Sequence, residues 1–250
     1  MKIQFCSDLH LEMYQNQKWV KENPLIPNGD ILIIAGDTDY LGSNFGGKDF
    51  FKKISDDFEQ SYIIPGNHEY YGGFDISTAF GKTNEKIFDN VTLLNNDVVS
   101  YNEVQLIFST MWSLIGRFKH EIINAVVDFR RIKYKGQLLS TDIFNQLHKK
   151  SFEFIQKEAS KEGKKIIITH HLPSNLCNAE EFRGSIYNDA FCVDKTEFIK
   201  HSNIDYWIYG HSYRNVGDIE INGTKMVTNQ LGYIAYGEQF AFERDRVIEI

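Results

Sequence analysis

The chain is short of the residues that would replace an ordinary enclosed core with something else. It has three cysteines in 250 residues, Cys6, Cys177 and Cys192, an odd count with no C-x-x-C spacing. A disulfide framework is therefore not expected, and reduced thiols in a cytosolic protein are. Only four prolines occur, and no low-complexity stretch or block of like charge marks a linker. One domain over residues 1–250 is the simplest organisation. No apolar run approaches the ~18 residues of a membrane span, so no membrane partner is expected. Lys2-Ile3-Gln4-Phe5 enters a strand pattern at once with no signal peptide before it, and a cytoplasmic location follows as the expectation. Basic residues are outnumbered 27 to 34, for a net charge of −7, which disfavours a general nucleic-acid-binding surface. An acidic chain can still take a phosphoester if its site carries metal.

What is present is a set of short apolar runs, each followed by metal-type ligands. Residues 2–6, 31–35, 62–65, 91–94, 105–109, 166–169 and 205–209 read as strands. Ile31–Ala35 and Ile166–Ile168 are continuously apolar, as in strands buried on both faces. Helical patterns lie between them, at Lys48–Phe58, Ser77–Phe88 and Ser140–Ser160. In the last, Ser140 or Thr141 can cap, and Ile143, Phe144, Leu147, Ser151, Phe154 and Ile155 line one stripe. Asn222-Gly223 joins two late alternating segments as a hairpin. Residues 113–139 are the least regular part and read as a loop or insertion over the site.

The ligand-bearing segments are Ser7-Asp8-Leu9-His10, Gly36-Asp37, Gly66-Asn67-His68-Glu69, Thr169-His170-His171 and Gly210-His211-Ser212-Tyr213. Loops past strand ends are where α/β proteins build sites. An Asp, Asn and His set suits divalent metals and metal-assisted hydrolysis. Asp8 and His10 are two apart, so on a regular strand they would share one side.

In order and spacing these segments resemble the calcineurin-like metallophosphoesterase superfamily, with its D-x-H, G-D, G-N-H-[DE], H and G-H-x-H pattern. Asp128-Phe129-Arg130-Arg131-Ile132 and Asn229-Gln230-Leu231-Gly232-Tyr233 extend the likeness to a bacterial subgroup of uncharacterised phosphohydrolases. The resemblance implies an α/β fold, a four-layer α-β-β-α sandwich of two mixed β-sheets flanked by helices. The strand–helix alternation alone is equally compatible with a doubly wound sheet. It also implies a metal set of Asp8, His10, Asp37, Asn67, His170 and His211 holding two divalent ions, Mn, Fe or Zn, with Asp37 shared between them. His68 would be the general acid that binds no metal, in hydrolysis of a small phosphoester by a metal-activated hydroxide. Glu69 follows His68 directly, but neighbours in sequence often point apart, and it is not assigned as the partner of His68.

The chain departs from the pattern at Tyr213, where the resemblance implies a second histidine for the first metal. That site would hold its ion weakly, use a tyrosinate, or stay empty. The alternative function is then a weak or inactive phosphate- or nucleotide-binding protein. Candidate substrate contacts are Tyr40, Tyr70, Trp112, Arg130, Arg131, Tyr213 and Asn229, since guanidinium groups clasp phosphate and aromatic rings stack on bases. They tilt the expectation towards a diester or nucleotide-like substrate.

Overall fold

The computed structural model describes residues 1–250. The first half of the chain runs β1 (Lys2–Cys6), α1 (Tyr14–Glu22), β2 (Ile31–Ala35), α2 (Asp49–Asp57), β3 (Gln60–Ile64), β4 (Thr83–Phe88), β5 (Val91–Asn95), β6 (Asp97–Tyr101) and β7 (Val104–Phe108). The second half runs α3 (Lys119–Ala125), α4 (Asp128–Arg131), β8 (Lys133–Tyr134), β9 (Gln137–Leu138), α5 (Thr141–Ala159), β10 (Lys164–Ile168), α6 (Thr196–Lys200), β11 (Tyr206–Tyr209), β12 (Ile219–Ile221), β13 (Thr224–Thr228) and β14 (Val247–Glu249).

Two six-stranded sheets form, in the orders β14-β1-β2-β3-β5-β4 and β12-β13-β11-β10-β7-β6. In each, four parallel strands are flanked by an antiparallel strand at either edge. The continuous apolar runs are explained by the layering. Ile31, Ile33 and Ala35 point into a core shared with Leu106, Phe108, Ile166, Ile168 and Ile208 of the other sheet. Leu32 and Ile34 point the other way, against Val20 of α1 and Phe51 and Ile54 of α2. Ile167 and Trp207 likewise pack outward on Ile155 and Ala159 of α5 and Ile199 of α6. Helices therefore cover both outer faces, giving the four-layer α-β-β-α sandwich rather than a single doubly wound sheet.

α5 forms as its pattern requires. Ser140 caps it by accepting the Ile143 N–H, and Phe144, Leu147, Ser151 and Ile155 are buried, with Ile143 and Phe154 half-buried. The Asn222-Gly223 turn joins β12 and β13 as expected. Ser77–Phe88, by contrast, is not a helix. A short 3-10 turn over Ile76–Phe80, capped by Asp75, ends at Gly81, and Thr83–Phe88 then pairs antiparallel with β5 as an edge strand. Its half-polar sequence is compatible with either state, and the open side of β5 decides. Residues 113–139 are more regular than expected, holding α3, α4 and the β8–β9 hairpin.

Several parallel strands end along one rim, which aligns the loops after β1, β2, β3, β10 and β11. Fully buried aliphatic side chains are each worth about 1.5–3 kcal/mol over exposure. Ile33, 0% exposed between the sheets, tests the shared core. Ile33→Ala should destabilise the protein by about 2–5 kcal/mol, read as a lowered urea midpoint at unchanged m-value.

Candidate metal centre

The chain turns sharply as it leaves β1, β2 and β11. Asp8, His10, Asp37, His211 and Tyr213 all have φ between 48° and 78°. These left-handed conformations are uncommon for residues with side chains and concentrate at functional sites. Asp8 and His10 thus do not share the face of a regular strand: β1 stops at Cys6, and both reach the site through this backbone. The turns are tied together, with Asp8 N–H donating to the Gly36 carbonyl (3.0 Å) and His10 N–H to that of Asp37 (2.9 Å). Gly36, at φ 92°, lies so close to the His170 ring that a Cβ there would collide with it.

Asp37 sits at the centre, fully buried. Its Oδ2 is 3.8 Å from His10 Nε2, and its Oδ1 is 3.3 Å from His170 Nε2. The two carboxylate oxygens therefore face two ligand groups, Asp8–His10–Asp37 and Asp37–His170–His211, each close enough to hold a metal ion. Asn67 joins the second, its Oδ1 3.1 Å from His170 Nε2. All six expected metal-ligand residues are brought together.

The surrounding hydrogen bonds leave ligand atoms free. His170 donates Nδ1–H to the Ala35 carbonyl (2.9 Å), which turns Nε2 inward. Asn67 donates its amide NH2 to Asp128 Oδ1 (2.8 Å), so its oxygen faces His170. His10 Nε2, Asp37 Oδ2 and both ring nitrogens of His211 are buried with no hydrogen-bond partner. Buried polar atoms are rarely left so, and a divalent cation would satisfy them. The donor set is oxygen and imidazole, which suits divalent metal ions.

The charges point the same way. Burial raises Asp8, and burial together with Asp37 raises Glu69 well above the usual carboxylate range. Burial would also raise Asp37, but His170 and His68 hold it well below its ordinary value. Burial alone would lower His170, yet Asp37 lifts it to about 10. Burial keeps His211 and His171 neutral, their values pushed well down.

His68 lies beside this centre. Its backbone N–H donates to Asp37 Oδ1 (2.9 Å), its Nδ1 is 3.0 Å from Glu12 Oε1, and its Nε2 is 3.1 Å from the Tyr233 hydroxyl. Glu69 is not its partner. That carboxylate accepts from the backbone of Asp37, Thr38 and Gly66 (3.1, 2.7 and 2.7 Å), pinning two ligand loops together.

The expected substrate contacts divide. Tyr213 packs edge-on to His10 (5.2 Å between ring centroids), with its hydroxyl 3.3 Å from that of Tyr233. Burial, then Asp37, push its phenol well up, favouring the neutral hydroxyl. Arg131 reaches the Tyr40 hydroxyl (3.4 Å) and lies over Tyr71, whose ring packs on His68 at 4.1 Å. Arg130 instead turns to the carbonyls of Asn124 and Ala125. Tyr70 and Trp112 are core residues, packed with Phe129 and Phe144, so a substrate cannot reach them. Asn229 is saturated by the backbone of Phe5 and Glu243 and clamps the chain. Sequence reasoning missed Glu12, Asp128 and Tyr233. Glu12 extends D-x-H to D-x-H-x-E, Asp128 opens the segment Asp128–Ile132 and Tyr233 closes the segment Asn229–Tyr233.

A family model described as calcineurin-like phosphoesterase matches residues 1–215. An uncharacterized protein of Acanthamoeba polyphaga mimivirus is 30% identical over 263 residues, covering 92% of this chain and 91% of its own. The crystal structure of phosphopantetheinyl hydrolase from Mycobacterium tuberculosis shares the fold, with a TM-score of 0.65 at 16% identity, covering 99% of this chain and 95% of that one.

The proton that Asp37 holds on His170 competes with any cation for the same nitrogen. Since its value lies near 10, Mn²⁺ binding at pH 7 should release a proton, and affinity should rise with pH by about tenfold per unit for each proton released. Calorimetry in buffers of different ionisation heat reads the proton count. His170→Ala should abolish that release.

Proposed function

The chain belongs to the calcineurin-like phosphoesterase family, whose members are phosphoric ester hydrolases, and from that premise we propose that it hydrolyses a small phosphoester at a two-metal centre with His68 as general acid. The observation that carries this reading is the disposition of Asp37, whose two oxygens face His10 on one side and His170 on the other. We assign Asp8, His10 and Asp37 to one ion, and Asp37, Asn67, His170 and His211 to the other. Two divalent cations there would supply a hydroxide near neutral pH and neutralise charge on the phosphate oxygens.

The chain's own groups do the rest. His68 Nε2 lies at the edge of the centre, and we assign it to pass a proton to the departing alkoxide as the P–O ester bond breaks. Glu12, on the opposite ring nitrogen, balances the positive charge of the imidazolium before transfer. The Tyr233 hydroxyl lies 3.1 Å from Nε2, on the side from which a leaving oxygen would approach. Asp128 keeps the Asn67 oxygen turned to the ion site. Arg131 is the guanidinium available at the rim, beside Tyr40 and Tyr71. A cation and aromatic rings on one side of the acid favour a diester or nucleotide-like substrate, whose second substituent they would meet.

The replacement of a metal-ligand histidine by Tyr213 motivates the competing reading of a binding protein. Three unpartnered or carboxylate donors, His10 Nε2, Asp8 and Asp37, still converge on the first site, which favours the enzyme.

Protein loaded with Mn²⁺ should hold two ions per chain by elemental analysis and turn over bis-p-nitrophenyl phosphate faster than p-nitrophenyl phosphate. One ion or none, with neither ester cleaved even by Tyr213→His, would move the assignment to the binding protein. His68→Ala should leave two ions bound and lower kcat on an alkyl ester by roughly 10²–10⁴-fold, with a smaller loss on p-nitrophenyl esters, whose leaving group needs little protonation. Equal losses on both esters would remove His68 as the acid.

A further inference from the structure

Glu12 is a buried carboxylate outside the ligand set, and it touches two histidines of the site, not only His68. It follows His10 by two residues, and its side chain is 1% exposed. One oxygen, Oε1, stands 2.9 Å from His10 Nδ1 and 3.0 Å from His68 Nδ1. An ionised carboxylate only accepts, so each imidazole donates from Nδ1. The remaining nitrogens diverge: His10 Nε2 faces Asp37 Oδ2, and His68 Nε2 faces the Tyr233 hydroxyl. The two rings meet edge to face, 4.5 Å apart at 74°, and His10 is stacked on Tyr233 at 4.5 Å. Neither ring can rotate without breaking the shared acceptor.

We propose that Glu12 is a positioning residue shared by the first metal site and the acid. Through one oxygen it sets the metal-facing nitrogen of His10 and the proton-donating nitrogen of His68. This rests on the phosphoesterase reading above. Its physical motive is the loss at position 213. With the Tyr213 hydroxyl engaged by Tyr233, the first site relies on Asp8, His10 and Asp37, and a ligand that cannot swing contributes more to a three-ligand site than to a four-ligand one. Glu69, the acidic residue next to His68, is unavailable for the work because its oxygens hold the loop backbone.

The test uses the full chain, stripped of metal, in Glu12→Ala and Glu12→Gln forms. Mn²⁺ is titrated calorimetrically to give affinity at each site, and turnover is compared on p-nitrophenyl and alkyl esters. Glu12→Ala should weaken the first-bound or second-bound ion assigned to His10 by roughly 10- to 100-fold, leaving the other ion in place. It should also lower turnover of the alkyl ester more than that of the p-nitrophenyl ester. Glu12→Gln keeps an acceptor oxygen and loses the charge, so both effects should appear at reduced size. In a His68→Ala background, Glu12→Ala should add no further leaving-group dependence. Wild-type metal affinity and leaving-group dependence in Glu12→Gln would overturn the proposal, as would a change in one readout without the other. If Glu12→Ala does not fold, the Gln form decides alone. A wild-type protein that binds two ions and cleaves neither ester would refute the phosphoesterase reading, while the titration would still decide whether Glu12 supports the His10 site.

Discussion

A carboxylate cannot stay ionised in a protein interior unless its charge is met, and the site is arranged around that constraint at Asp37. This residue leaves the first sheet after β2, while His170 and His211 leave the second after β10 and β11. The interaction of Asp37 with His170 therefore spans the two halves of the sandwich. It requires the sheets to pack with those strand ends on one rim, which the shared core of Ile33, Ile64, Phe108 and Ile168 provides. Asp8, Glu69 and Asp128 are buried nearby, each raised by its burial. So many acids near so few cations make an environment that a divalent ion would relieve.

The polypeptide is bent to serve that arrangement. Five of the residues at the centre take left-handed backbone, each at a conformational cost of about 1–3 kcal/mol. Glu69 offsets part of this by gathering the backbone N–H groups of Asp37, Thr38 and Gly66, and Asn229 does similar work between β1 and the chain near Glu243. Polar residues deep in the molecule thus divide into those that aim ligands and those that hold the turns which aim them. Position in a motif does not separate the two. His68 and Glu69 are adjacent, yet one lies beside the candidate metal centre and the other holds the loop backbone.

The central strands, α2, α5 and the β12–β13 hairpin were legible because their apolar spacing matches one period and their ends carry turn or cap residues. Thr83–Phe88 was not, since its composition suits either state and the open edge of β5 selects the strand. The six candidate ligand residues were legible as a cluster because metal chemistry restricts residue type and each follows a strand. Tyr70, Trp112 and Asn229 were misplaced as substrate contacts because an aromatic or amide near a strand end looks the same in sequence whether it faces the cleft or the core.

By itself, the sequence determined the central strands, the candidate ligand set and the family, all of which reside in short local patterns. The tertiary structure alone decided which carboxylate serves which histidine. Glu12, Glu69 and Asp128 are chemically interchangeable on paper. Their tasks depend on where loops 31 to 61 residues apart in the chain meet, and Glu12 to His68 spans 56 residues. Hydrogen bonds form between atoms about 3 Å apart, and no local pattern encodes a distance set by the packing of two sheets.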